Sequence, residues 1–292
     1  MRKLFKYFSD LDIDYFSNPS FKLASASTLN DPFETILAKE LLDTLELFTD
    51  KDSPSYKMFK RLFGEDAKLK ESYDTLFKMC GVVSLSETQH NLLMWAHYAN
   101  QHTGFCVGYR SDVLRDMDFP KYVKIPLHQT PVKVNYDSKK TFDYAYDFNY
   151  DSDNELFKSV LNKVLTTKGD DWIYEKEHRF ILPVSVADRC RIYKNGKLEC
   201  EEEFYKSKEN RYSKKNKISP FSISKAADKN RSYLLDINPS YITEVYLGCK
   251  MDLKKAKKIK FDLARNQDTK HIEVYKFTES KDRFELEIDN TF

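Results

Sequence analysis

Short strand-like runs that are not regularly interleaved with helical ones constrain this chain most. Lys3–Phe8 is aromatic and roughly alternating. Further extended runs are predicted over Phe21–Ala24, Gly81–Ser86, Gly104–Tyr109, Val132–Tyr136, Tyr241–Gly248, His271–Tyr275 and Phe284–Ile288. The second half of Trp172–Pro183 reads as one more strand, ended by its proline. Helical patterns are fewer. Asp31 suits an N-cap, with Pro32 at the first helical position and Glu34 three residues after the cap. Ile36, Leu37, Leu41, Leu45 and Phe48 would form that helix's apolar face. Residues 54–78 are polar and helix-prone. Asn91–Ala99 is a short helix, apolar nearly all round, and 154–166 is another. Leu253, Ala256, Lys257, Lys260, Leu263 and Ala264 mark one stripe of a basic amphipathic helix. Strands and helices in this order predict an α+β fold with a mixed, mainly antiparallel sheet and flanking helices. The expected organisation is a single domain over 1–292, with a basic, polar, partly loose insertion at about 188–231.

Composition narrows the function classes. Hydrophobic residues make up 41% and aromatics 14%, enough to bury a core and to exclude global disorder. With 7 Gly in the whole chain, and neither a P-loop nor a G-x-G-x-x-G motif, glycine-rich nucleotide loops have no support. No apolar run reaches membrane-spanning length, and Met1–Tyr7 lacks a signal-peptide apolar stretch, so a cytoplasmic protein without membrane contact is expected. The five cysteines are scattered without C-x-x-C spacing, which predicts mostly buried thiols rather than disulfides or zinc ligands. The net charge of +2 is unevenly spread. Residues 206–231 carry nine basic side chains against Glu209 and Asp228, and 250–270 carry eight against three acids. Either stretch is a candidate polyanion-binding face or a solvated lysine-rich surface.

Glu175-Lys176-Glu177 is the most suggestive local unit. On a strand, carboxylates two apart project to the same face. One can then hold a developing cation while the other orients an attacking group. Trp172 and Tyr174 just upstream would supply a flat aromatic wall. The competing reading is a surface strand with both acids paired to lysines. His97 lies near His90 and His102, but no metal-ligand pattern accompanies them, and a buried His97 bonded to a backbone carbonyl is expected. Ser86-Glu87-Thr88-Gln89 fits a capping box for the next helix, while Ser84 is left open to hydrogen-bond a ligand. No G-x-S-x-G elbow is present to support a hydrolase triad.

Four motifs in order resemble a bacterial family catalogued as a domain of unknown function. They are Phe5-Lys6-Tyr7, Asn30-Asp31-Pro32-Phe33-Glu34, Met94-Trp95-Ala96-His97-Tyr98 followed by Gly104-Phe105, and Trp172-x-Tyr174-Glu175-x-Glu177-x-Arg179. A second resemblance is to ADP-ribosyltransferases, including DNA-modifying toxin members. Those enzymes carry Arg or His beside an aromatic on an early strand, where this chain has Lys6 and Tyr7. Their middle-strand Ser-x-Ser corresponds to Ser84-Leu85-Ser86, and their late-strand Glu-x-Glu to Glu175-Lys176-Glu177 before Phe180-Ile181-Leu182-Pro183.

This second resemblance implies an ADP-ribosyltransferase-type core and an enzyme that uses NAD as substrate. Glu177 would be the carboxylate at the ribose, and Glu175 would position or activate the acceptor. Tyr7, Trp95 or Tyr98 would stack on nicotinamide, Ser84 would line the site, and Lys6 or Arg179 would neutralise the pyrophosphate, with Arg179 alternatively bracing Glu177. The acceptor would be RNA or DNA, held by Lys206, Lys208, Arg211, Tyr212, Lys214, Lys215 and Lys217, or else a protein. A toxin or phage-defence role with a neutralising antitoxin protein follows by analogy. Two rivals stand beside this reading: a non-catalytic nucleic-acid or protein-binding module, and a metal-dependent nuclease using Glu175 and Glu177.

Overall fold

A computed structural model describes residues 2–36, 77–115, 128–140, 153–203 and 228–292, with a few isolated positions between them. The chain is mixed α+β with a large, mainly antiparallel sheet. Strands β1 (Lys3–Phe8), β2 (Ser20–Ser25), β3 (Cys80–Ser86) and β4 (Phe105–Arg110) form its middle. β5 (Val132–Lys133) and β8 (Glu177–Pro183) lie on one flank, and the short pair β6 (Asn135–Asp137) and β7 (Thr167–Gly169) lies apart from the sheet. β9 (Arg189–Lys194), β10 (Lys197–Glu203) and β11 (Arg231–Asp236) extend one edge. β12 (Ile242–Leu247), β13 (Glu273–Glu279) and β14 (Leu286–Ile288) extend the other. Helices α1 (Leu92–Tyr98), α2 (Asp153–Leu165) and α3 (Leu253–Arg265) flank them. No helix among the described residues is long and apolar enough to cross a membrane.

β3 is the hub of the sheet. One of its edges pairs antiparallel with β8 along its whole length, from Cys80↔Pro183 to Ser86↔Glu177. The other edge is shared, with Gly81 and Val82 facing β2 and Ser86 facing Phe5 of β1. The sheet therefore opens between β1 and β2 along the middle of β3. The Lys6 amine fills that opening by donating to the Ser84 carbonyl at 3.0 Å. A buried carbonyl left without a ladder partner needs such a donor.

Alternation along the strands sorts the two faces. On one, Phe21, Val83, Phe180, Val107, Val245 and Leu247 belong to the same buried cluster as Ala256, Ile259 and Leu263 of α3. The buried stripe of α3 is thus 256-259-263, while Leu253, Lys257, Lys260 and Ala264, expected on it, are exposed. The helix links β12 to β13, which run parallel. On the other face, Tyr7 and Tyr246 pack with Trp95 of α1 and Phe277 of β13.

Several local expectations are corrected. Residues 188–203 are not loose, because β9 and β10 form a hairpin closed by Asn195 and Gly196, both at positive φ. The remainder of the expected insertion, 204–227, lies outside the described residues, as do 37–50 and most of 54–78. Asp31 does accept from the Phe33 N–H at 2.8 Å, but residues 32–35 form turns rather than helix. The N-cap of α1 is Asn91, whose carboxamide oxygen accepts from the Leu93 and Met94 N–H groups. Ser86 instead donates to the Glu175 carbonyl at 2.8 Å. Cys80, Cys106 and Cys190 are buried thiols, whereas Cys200 is exposed.

Candidate functional site

The site starts from a sharp corner. Asp170–Glu175 is a 3-10 turn, and Lys176 closes it in the left-handed region at φ 45° before β8 begins at Glu177. Glu175 and Glu177 are therefore not two positions of one strand. They reach the same place because the corner at Lys176 redirects the chain between them. Neither is on the surface, since both are at most 5% exposed.

Their partners come from distant segments. The Arg179 guanidinium donates to both oxygens of Glu177, from Nε at 2.7 Å and Nη2 at 2.8 Å. Its Nη2 also donates to Glu34 Oε1 at 2.6 Å, and Nη1 donates to the Leu165 carbonyl at 2.8 Å. Lys168 on β7 lies 2.7 Å from Glu175, 3.3 Å from Glu34 and 3.6 Å from Glu177. The Tyr98 hydroxyl at the end of α1 donates to Glu175 Oε1 at 2.6 Å. The Tyr136 hydroxyl accepts from the Glu177 backbone N–H, and the Ser84 hydroxyl bonds the Glu177 carboxylate.

Three carboxylates thus meet two cations in an interior where an unpaired charge is costly. Burial works against the ionised form of Glu177. Arg179, then Lys168 and the Ser84 hydroxyl outweigh it and hold its pKa below the ordinary value. Glu34 goes the other way. Burial raises its pKa, Arg179 and Lys168 offset that only in part, and the Glu177 charge adds to it. Burial also lowers the Lys6 amine to about 8, against the pull of Glu177. Tyr98 is raised by burial and by its bond to Glu175.

A half-buried aromatic rim borders the cluster. Trp172 and Tyr174 lie 6.2 Å apart, centroid to centroid, with their planes 32° apart. The Lys168 ammonium sits 4.4 Å from the Trp172 ring centroid. His97 is exposed rather than buried, and its ring lies beside those of Tyr98 and Tyr174. Asn91 ties this rim to α1 by donating to the Tyr174 carbonyl at 2.8 Å.

The expected site residues divide. Glu175, Glu177, Arg179, Ser84 and Tyr98 come together. Trp95 does not join them: it is fully buried, donates from its ring N–H to the Gln89 carbonyl, and has no face to offer a ligand. Tyr7 is likewise core, edge-on to Trp95 and bonded to the Thr88 carbonyl. Arg179 has no fork to spare for a pyrophosphate and braces Glu177 and Glu34 instead. Lys6 is spent on the Ser84 carbonyl. Lys206, Lys208, Arg211, Tyr212, Lys214, Lys215 and Lys217 lie outside the described residues. Glu34 and Lys168 were missed as site residues. Glu34 read as part of a helix start, and Lys168 sits in a stretch with no motif. Among the described residues no group of His, Cys, Asp or Glu is arranged to hold a metal ion, and the Lys168 ammonium occupies the point to which all three carboxylates turn.

Fold and site together describe a mixed α+β protein with a buried carboxylate–cation cluster beneath an aromatic rim. Residues 94–180 match the model of a family described as "Protein of unknown function (DUF2971)". That span contains Tyr98, Lys168, Glu175, Glu177 and Arg179 and stops short of Asn30–Glu34 at its N-terminal side. No curated protein and no solved structure matches the chain, so the resemblance to ADP-ribosyltransferases draws no support from them.

Proposed function

We propose that the protein is an enzyme of glycosyl transfer that cleaves the nicotinamide–ribose bond of NAD and passes ADP-ribose to a macromolecule. One observation carries the reading. Two carboxylates on a single guanidinium, Glu177 and Glu34, have pKa values pushed in opposite directions. Such a split is how enzymes assign an anion and a proton-bearing acid to neighbouring carboxyls. Cleavage of the N-glycosidic bond passes through an oxocarbenium-like state, which a fixed anion stabilises. The electron pair of the C1′–N bond leaves with nicotinamide, which departs neutral. The acceptor's heteroatom then bonds C1′ and passes its proton to the Glu175 carboxylate.

Glu177 is the anion of this scheme, and Glu175, oriented by Tyr98 and Lys168, positions the acceptor. Tyr98, Trp172 and Tyr174 take over the stacking role for which Trp95 and Tyr7 have no free surface. The acceptor is nucleic acid, RNA or DNA, with a protein as the alternative. An antitoxin partner, a defence role and a cytoplasmic setting belong to the same proposal.

A second reading has its own observation. Both Glu177 oxygens are engaged by Arg179 and the side chain is nearly fully buried, which favours an architectural cluster in a binding module. Incubation with NAD labelled in the adenosine half separates the two. Nicotinamide release and label transfer to RNA, DNA or protein, falling about a hundredfold or more in Glu177→Gln, is the expected outcome. Nucleic-acid binding without nicotinamide release from the wild-type protein would establish the second reading and remove the first.

A further inference from the structure

The buried cluster is short of one positive charge. Glu34, Glu175 and Glu177 face Lys168 and Arg179, and the nearby Lys6 amine is turned onto a backbone carbonyl. The deficit falls on a particular atom. Glu175 has Tyr98 on one oxygen and Lys168 on the other. Both oxygens of Glu177 have Arg179. Glu34 Oε1 has Arg179, but Glu34 Oε2 is buried and has no hydrogen-bond partner. Glu34 itself is 4% exposed. A buried carboxylate oxygen in this condition either keeps a proton or receives a cation. The surroundings suit a cation, because the Lys168 ammonium, 3.3 Å from Glu34, already lies 4.4 Å from the Trp172 ring centroid, with the Tyr174 ring beside that of Trp172.

We propose that this cluster is a receptor for one planar organic cation, a pyridinium or guanidinium group, which takes the place of the proton on Glu34 Oε2. The inference rests on the glycosyl-transfer reading only in that the nicotinamidium ring of NAD is one such cation. The guanidinium of an arginine side chain is another. The charged groups facing Glu34 from the described elements are Arg179 and Glu177 of β8, Lys168 of β7, and Lys140 beyond β6, whose amine lies against the Phe33 and Ile36 carbonyls. None of them donates to Oε2. Burial raises the Glu34 pKa, so this carboxyl holds its proton to a higher pH than a free one does, and a cation seated on Oε2 displaces it.

The test is calorimetric titration of the intact protein with three probes: 1-methylnicotinamide, neutral nicotinamide of nearly the same shape, and ethylguanidinium. The cations are expected to bind about tenfold or more tightly than nicotinamide. Titrations in two buffers of different ionisation enthalpy should show proton release approaching about one per cation at acidic pH and none at alkaline pH. Nicotinamide should release none at any pH. Glu34→Gln, checked for an unchanged fold by its melting transition, should bind the three probes alike. Preference for ethylguanidinium over 1-methylnicotinamide identifies an arginine side chain as the occupant, and the reverse identifies a pyridinium. Equal binding of charged and neutral probes, cation binding without proton release, or no binding of any probe overturns the inference. Its failure is separable from that of NAD turnover. Cation binding without nicotinamide release removes the enzymatic reading alone, and nicotinamide release without cation selectivity removes this one alone.

Discussion

Arg179 is the residue on which the cluster turns. It is 1% exposed, and its guanidinium meets Glu177, Glu34 and the Leu165 carbonyl at once. Its removal leaves two buried carboxylates without their principal counter-charge. Arg179→Ala is expected to cost about 3–5 kcal/mol in urea unfolding, and Arg179→Lys to recover part of this, because a single ammonium cannot reproduce the fork.

Glu34 and Glu177 should also be separable by pH. The Glu177 pKa is lowered on folding, so its contribution is present above the unfolded pKa and lost as pH falls through the folded one. The Glu34 pKa is raised, so folding is penalised as pH rises from the unfolded value through the folded one. Glu34→Gln removes that penalty. Its stability relative to wild type is expected to improve as pH rises above the unfolded value of about 4, read as the shift in urea midpoint. A difference independent of pH would show that the Glu34 carboxyl titrates alike in the folded and unfolded chains.

At the scale of elements, the corner at Lys176 does what a continuous strand could not. A period of two would have set Glu175 and Glu177 on one face at a spacing of nearly 7 Å. The 3-10 turn and the left-handed residue bring both instead to within 3.6 Å of one ammonium. A branched side chain tolerates this backbone poorly. Lys176→Val is expected to destabilise by about 1–2 kcal/mol in thermal or chemical melts, and Lys176→Gly to be neutral or mildly stabilising.

The strands themselves were readable from alternation and aromatic content, as for Lys3–Phe8, Cys80–Ser86 and Glu177–Pro183. The turn types were not. Asn195-Gly196 is a hairpin signal that local polarity masked. The capping role expected of Ser86 went to Asn91 because the helix starts only at Leu92; the Ser86 hydroxyl accepts from the Thr88 N–H at 3.3 Å and donates to the Glu175 carbonyl.

Across the whole molecule, the opening in the sheet and the cluster are linked through β3. Ser84 offers its carbonyl to Lys6 on the open side of that strand, while its hydroxyl reaches Glu177 on the neighbouring β8. A lysine on an early strand, where an anion clamp was expected, closes a gap in the backbone ladder. Lys6→Leu should leave the Ser84 carbonyl unpaired and cost about 1–3 kcal/mol, with faster hydrogen exchange in β1 and β3 than in β12. Unchanged exchange there would mean that water satisfies the carbonyl.

Three of the four motifs noted in the sequence meet at this one place. Asn30 and Glu34, then Tyr98, then Trp172 to Arg179, form a chain of contacts in which Asn30 bonds Tyr98 and Tyr98 bonds Glu175. The fourth, Phe5-Lys6-Tyr7, contributes Lys6 at the margin and gives Tyr7 to the core.

The sequence by itself determined the strands β1 to β4, β8 and β12 to β14, with α1 and the basic helix α3, because hydrophobic period acts between neighbours along the chain. It also marked Glu175 and Glu177 as a pair. Only the tertiary structure decided that Lys168 and Glu34 complete the cluster, that Trp95 and Tyr7 are core, and which carboxyl has its pKa raised. Charge stabilisation and burial depend on distances across the fold. Arg179 and Glu34 stand 145 positions apart in sequence and 2.6 Å apart in space, a proximity that no local pattern encodes.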